Sequence, residues 1–126
     1  MRAEIVIPGR PVTKKNHQQV WQNRKSGKRF VVPSKAYKEY EESALRELRA
    51  YQGPRFSGPV RVTAQYYMPD RRSWPDLVGL MQATHDILQA AGIIANDRDI
   101  VCVDGSLIAG VDPKRPRVVI EIEEVS

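Results

Sequence analysis

Apolar residues recur along this chain with two periods, one of two residues and one near 3.6, and the two alternate in blocks. Residues 2 to 7, RAEIVI, alternate and stop at Pro8-Gly9, which predicts a strand. RPVTKKNHQQVWQNRKSGKR follows from Arg10 to Arg29, polar and broken by turn residues. It reads as a long loop with a loose hairpin around Ser26-Gly27, and Phe30 to Val32 as a short strand before Pro33. Ser34 then suits the cap of a helix over KAYKEYEESALRELRAY, where Tyr37, Tyr40, Ala44, Leu45 and Leu48 share one face.

Gly53, Pro54, Gly58 and Pro59 break the chain, and Val60 to Met68 returns to a period of two, predicting a half-buried strand. After the polar loop MPDRRSW a second helix is expected from about Pro75 to Ala91. Leu77, Leu80, Met81, Thr84, Ile87, Leu88 and Ala91 make its stripe, Pro75 suits its first turn, and Gly92 stops it. Beyond the Asn96-Asp97 turn, Ile100 to Gly110 and Arg117 to Val125 read as two strands joined through DPKRP. The order βαβαββ, with one extra short strand, implies an α+β fold: two main helices on a mixed β-sheet. The absence of repeats, low-complexity tracts and linkers makes residues 1–126 a single expected domain.

No apolar run approaches the ~20 residues of a membrane helix, and the N-terminus has no signal-peptide pattern, so the chain reads as soluble and cytoplasmic. The single cysteine, Cys102, lies in the apolar run IVCV and is expected in the core, unable to form an internal disulfide. The net charge of +5 is unevenly distributed. Residues 1 to 38 hold ten Lys or Arg against Glu4 alone, a balance of +9, whereas the other 88 residues balance at −4. A cationic first third favours a polyanion, because Lys and Arg that neutralise phosphates release counterions. Lys14, Lys15, Asn16, Arg24, Lys25, Lys28 and Arg29, with His17 and Trp21 among them, suit an arm that follows phosphates, and a solvated loop is the plainer alternative.

The acids around the second helix raise a sharper question. Asp76 falls in its first turn, where free N–H groups and the helix dipole favour a carboxylate, and Asn96, Asp97 and Asp99 are ordinary turn residues. A metal-binding reading requires Asp76 and Asp97 to meet. A helix of ~16 residues rises about 24 Å, and the five residues from Ile93 to Asp97 span at most about 17 Å. The chain doubles back only part of the way, and a second chain would supply the remainder. Carboxylates meeting beside a basic groove would suit Mg²⁺ and phosphoryl chemistry.

Taken in order, these residues resemble the RusA family of Holliday-junction resolvases. The resemblance rests on Pro11 to Asn16, Met68 to Arg72, Pro75 to Leu80, His85 to Leu88, Ala91 to Val101 and the closing pair of strands. The family pattern at the helix start is Pro/Arg-Asp-x-Asp-Asn-Leu, then a lysine one turn on, an Asp-x-Leu, and Asp-Asp before a strand. Asp76 matches its first metal-binding aspartate and Asp97 the aspartate of the Asp-Asp turn, whose other member is Asn96 here. Val78 stands where the second catalytic aspartate belongs, Gly79 replaces the asparagine and Gln82 the lysine.

The resemblance implies a bacterial or phage-encoded homodimer that binds a four-way DNA junction and nicks it with Mg²⁺, or Mn²⁺, held by aspartates, without a small-molecule cofactor. Asp76 and Asp97 are then the catalytic and metal-binding candidates. Lys14, Lys15, Arg71 and Arg72 are expected to meet phosphates; Asp70 and Asp99 are candidate substitutes for the lost carboxylate, although no rule of spacing demands either. Asp86, about 15 Å further along the helix, is expected to bond within the fold. Losing an anionic ligand and a cation predicts weakened cleavage, and a binding protein that no longer cuts is the alternative.

Overall fold

The computed structural model describes residues 1–14, 19–22, 29–32, 34–72 and 74–126, the segments 19–22 and 29–32 as backbone only. Strands β1 (Arg2–Pro8), β4 (Val60–Met68), β5 (Ile100–Cys102), β6 (Leu107–Val111) and β7 (Arg117–Glu124) form a five-stranded mixed sheet. Helices α1 (Lys35–Leu48) and α2 (Leu77–Ala90) and the small antiparallel pair β2 (Gln19–Gln22) and β3 (Arg29–Val32) complete it. The expected α+β class with a mixed sheet and two helices is found, with a longer strand order than βαβαββ.

β7 lies between β1 and β4, antiparallel to both, in unbroken register from Arg2 opposite Glu123 to Pro8 opposite Arg117. The other edge of β4 is shared: its first residues pair with β5 and its last with β6, both parallel. A parallel neighbour needs a crossover, and α2 supplies it. The apolar stretch Ile100 to Gly110 is therefore two collinear strands. The chain turns at Asp104-Gly105, where Gly105 takes φ +89°, a left-handed value that favours glycine. Cys102 sits half-buried in β5 and not in the core as expected, because this short edge strand is covered only in part.

The helices cover one face. Alternate residues of β1, β4 and β7, among them Ile5, Ile7, Val62, Ala64, Val118, Ile120 and Ile122, form one apolar cluster with Ala44, Leu48, Leu80, Ile87 and Leu88. Ser34 caps α1 by accepting the Tyr37 N–H at 3.1 Å, as its place in the sequence predicts. A polar pairing between helix and sheet in this core joins the Tyr66 and Thr84 hydroxyls at 2.7 Å, and Thr84 also donates to the Leu80 carbonyl. That bond spares both hydroxyls the cost of burial without a partner. The opposite face, with Arg2, Glu4, Arg61, Thr63, Gln65, Glu121 and Glu123, is partly or fully exposed. Among the described residues no helix is long and apolar enough to cross a membrane.

α2 runs back along the sheet from the exit of β4 to its start. Its return is clipped there by Phe56, whose N–H donates to Ile93 O (2.8 Å) and whose carbonyl accepts from Ala95 N (2.9 Å). The sheet thus has two distinct ends. At one, β1 and β4 exit, β7 begins and α2 starts; at the other, β4 starts and α2 finishes.

Candidate nuclease site

The first end is built around Asp76. It is the N-cap of α2, its backbone extended at φ −68° and ψ 143°, and its Oδ2 accepts the Gly79 N–H at 2.9 Å. The chain leaving β1 crosses this turn. A Cβ built on buried Gly79 would stand 3.1 Å from the Thr13 methyl and 2.9 Å from Asp76 Oδ1. The absence of a side chain at position 79 therefore lets the root of the basic arm lie against the capped first turn.

Lys14, one residue on, donates to Asp86 Oδ2 at 2.9 Å and sits 5.4 Å from the Tyr37 ring centroid. Asp86 bonds within the fold, as expected, and the ammonium of Lys14 is engaged by it. Burial, then Glu41, which accepts the Tyr37 hydroxyl at 3.2 Å, push the Tyr37 pKa far up, so the phenol stays protonated. Lys15, Asn16, His17, Arg24, Lys25 and Lys28 lie outside the described residues. Of Arg29 and Trp21 the backbone alone is described, in the β2–β3 pair, whose Gln22-to-Arg29 register encloses residues 23–28, where the hairpin is expected.

The loop after β4 adds exposed Arg71 and Arg72 to this end. Asp70 shapes it: its Oδ1 accepts the Arg72 N–H at 2.8 Å and its carbonyl the Trp74 indole N–H. Asp70, named above as a stand-in carboxylate, has this loop bond of its own. Exposed Val78 and Gln82 lie four residues apart and so on one side of α2. Val78 packs into nothing: at 68 % exposure it is the most exposed of the large apolar residues.

Asp97 belongs to the other end. It opens a 3-10 turn, Asp97–Asp99, capped by Asn96, whose side chain accepts the Arg98 N–H at 3.0 Å. Asn96 caps as an aspartate would. The Asp97 N–H donates to Gln89 Oε1 at 2.7 Å, tying the turn to the last turn of α2. His85 lies between. Burial lowers its pKa, opposed by the charges of Asp86 and Asp97, and its Nε2 is buried with no hydrogen-bond partner among the described residues. Asp97 thus doubles back as far as the field of His85, and nine residues, about 13 Å of helix rise, still separate His85 from Asp76.

Within one chain the two candidate carboxylates therefore stand at opposite ends of α2. Among the described residues no group of three or more His, Cys, Asp or Glu is placed to hold a metal ion. One chain offers a divalent ion a single candidate carboxylate at each end, so Asp76 and Asp97 of the same chain do not fit as joint ligands of one Mg²⁺. Asp99, the other stand-in, shares the 3-10 turn with Asp97 and donates its N–H to Asn96 O at 3.0 Å.

The turn between β6 and β7, which passes over the end of β4 because the two strands lie on either side of it, went unremarked in the sequence reading as chemistry. It places exposed Lys114 and Arg115 at the Asp76 end. The signal was present in DPKRPR, which holds three cations in six residues. It became informative only with the strand order, which brings that turn beside the exit of β4 through the Asp112 N–H bond to Met68 O at 2.8 Å.

No curated protein matches the sequence. The family model of endodeoxyribonuclease RusA matches residues 8–123, from the exit of β1 almost to the end of β7. With nearly its whole length matched, four strands of the sheet, both helices and both candidate carboxylates included, the chain belongs to the RusA endodeoxyribonuclease family.

Proposed function

We propose that this protein acts as a homodimer that binds four-way DNA junctions and nicks them with Mg²⁺ or Mn²⁺, at a rate reduced by Val78 and Gln82. The coarser part follows from membership: RusA proteins are endodeoxyribonucleases of Holliday junctions, acting in recombination. The observation that carries the reading is the gathering of Asp76, the root of the basic arm, Arg71 and Arg72 at one end of the sheet. A cationic surface beside an exposed carboxylate suits a phosphodiester more than a neutral substrate. In this reading Lys15, Asn16, Arg24, Lys25, Lys28, Arg29, Arg71 and Arg72 meet DNA, and Lys14 divides its charge between DNA and Asp86.

The dimer is part of the same proposal. In an isologous pair a residue that meets a second residue across the axis is met by it in return, so two copies would create two equivalent pairings of Asp76 with Asp97. Two such sites suit a junction with two equivalent strands. Mixed dimers test this. Asp76→Asn and Asp97→Asn homodimers are each expected to lose about 10²-fold or more in cleavage, in the range set by removing one charged group at a reaction centre. A purified heterodimer of the two variants keeps one intact pairing and is expected to nick a single strand. A heterodimer as inactive as either homodimer would defeat the two-chain site.

A second reading, a branched-DNA-binding protein that does not cleave, is favoured by one observation: the position of the family's second aspartate carries an exposed valine with no packing role. Junction binding without nicks in Mg²⁺ or Mn²⁺, with cleavage appearing in Val78→Asp, would establish it.

A further inference from the structure

The turn that carries the chain from β6 over the end of β4 to β7 is held by several side-chain and backbone bonds. Asp112 organises it. Its N–H donates to Met68 O, its Oδ1 accepts the Arg115 N–H at 3.1 Å, and its Oδ2 accepts Arg117 Nη1 at 2.9 Å. The Arg115 N–H bond, assisted by Arg117, holds the Asp112 carboxyl below its usual pKa. Arg117 also donates to Arg115 O at 2.9 Å and lies 4.0 Å over the Tyr67 ring. Pro116 O accepts the Gly9 N–H at 3.0 Å, fastening the turn to the exit of β1. Two prolines, Pro113 and Pro116, fix backbone angles within it.

This bonding neutralises Asp112 and Arg117 against each other and leaves a pair of cations. Lys114 and Arg115 are exposed, and among the described residues neither forms an ion pair. Beside them lies an open hollow of about 240 Å³ whose lining includes Val6, Pro8 and Gly9. Exposed Arg10 follows on the β1 exit, and the loop bearing Arg71 and Arg72 leaves β4 from Met68, the residue to which Asp112 is bonded.

We propose that the β6–β7 turn is a second DNA-backbone contact, separate from the N-terminal arm, in which Lys114 and Arg115 take phosphates and the Val6-Pro8 hollow takes the adjoining deoxyribose. The inference rests on the junction-binding reading and extends its footprint across the sheet end. Charge complementarity selects the occupant: two unpaired cations on a fixed turn suit phosphates spaced along a strand, and a turn already ordered loses little entropy on binding. Such contacts position the backbone and carry no base preference.

The experiment compares full-length wild type with the double variant Lys114→Gln/Arg115→Gln by fluorescence anisotropy, in EDTA, on a four-way junction and on duplex of the same arm sequence. Salt is varied from about 50 to about 200 mM, and log K is plotted against log salt. The variant is expected to bind both DNAs about tenfold or more weakly at the lowest salt, with a slope shallower by roughly 1.8, or 0.9 for each lost phosphate contact. Lys114→Arg retains the wild-type slope. A double variant with the wild-type slope on DNA that the wild type binds would overturn the contact at the β6–β7 turn and leave the junction reading intact. A wild type with no affinity for either DNA would overturn both, and tighter binding to RNA of the same sequence, lost in the variant, would refute DNA as the occupant.

Discussion

The two ends of the β4–α2 layer carry the same kind of residue, an aspartate in a tight local motif, and surround it differently. Asp76 caps a fourteen-residue helix and shares its end of the sheet with the arm root, Arg71, Arg72 and the Lys114-Arg115 turn. Asp97 opens a three-residue turn held by Gln89 and lies in the field of a half-buried, unprotonated His85. One carboxylate caps a helix at the end that carries exposed Arg71 and Arg72; the other belongs to a turn held through its backbone N–H to Gln89. What this teaches is that a two-aspartate motif separated by one helix is a composite in space. The helix that spaces the acids in sequence also keeps them apart in the chain.

The sharpest way to break the comparison is chemical. If the ends cooperate in one reaction, Asp76→Asn and Asp97→Asn lower junction cleavage equally, by about 10²-fold or more; a loss confined to Asp76→Asn would make the Asp97 end a bystander. Next is a stability contrast. Asp76→Ala removes the cap and should lower unfolding free energy by about 1 kcal/mol, whereas Asp76→Asn, a good cap, and Asp97→Ala should stay within about 0.5 kcal/mol of wild type. Denaturant titration at neutral pH measures all three.

A third test uses pH at the Asp97 end. Because folding keeps His85 neutral, its folded pKa lies below the ordinary 6.5, so the unfolded chain binds more protons as the pH falls through that value. Stability should therefore decline from about pH 6.5 downward, until the folded pKa is passed. His85→Asn should flatten that decline; an unchanged pH profile would show that His85 is not its source. The smallest effect is expected of Val78→Asp, within about 0.5 kcal/mol of wild type in thermal unfolding, since the position is exposed and an acid near a helix N-terminus is favoured. A large loss of stability there would mean that Val78 is covered in the working assembly.

Much of the architecture was legible because it depends on local pattern. The alternation of Val60 to Met68 and the stripe of α2 gave element type directly, and Ser34 marked the start of α1, whereas Pro75, expected in the first turn of α2, precedes its cap Asp76. The hairpin expected around Ser26-Gly27 agrees with the pairing of β2 and β3. The continuous reading of Ile100 to Gly110 failed because it passed over Asp104-Gly105-Ser106, a polar turn signal between two apolar runs, where Gly105 takes a positive φ. At the candidate site, Asp76 as a capping acid and Asp86 as an internal partner were readable from helix position. The contact of Thr13 with the first turn of α2 was not, since nothing local joins position 13 to position 79.

By itself the sequence determined the element types, the basic first third and the order of motifs that marks the family, because these are set by residue spacing and by charge counted along the chain. Tertiary structure alone decided which groups are neighbours. Placing β7 between β1 and β4 sets the DPKRPR turn against the exits of both strands, and running α2 back along β4 sends Asp76 and Asp97 to opposite ends. Strand order and crossover direction are long-range packing choices made to bury one face of the sheet, and they fix where charges meet without leaving a local mark on the residues that carry them.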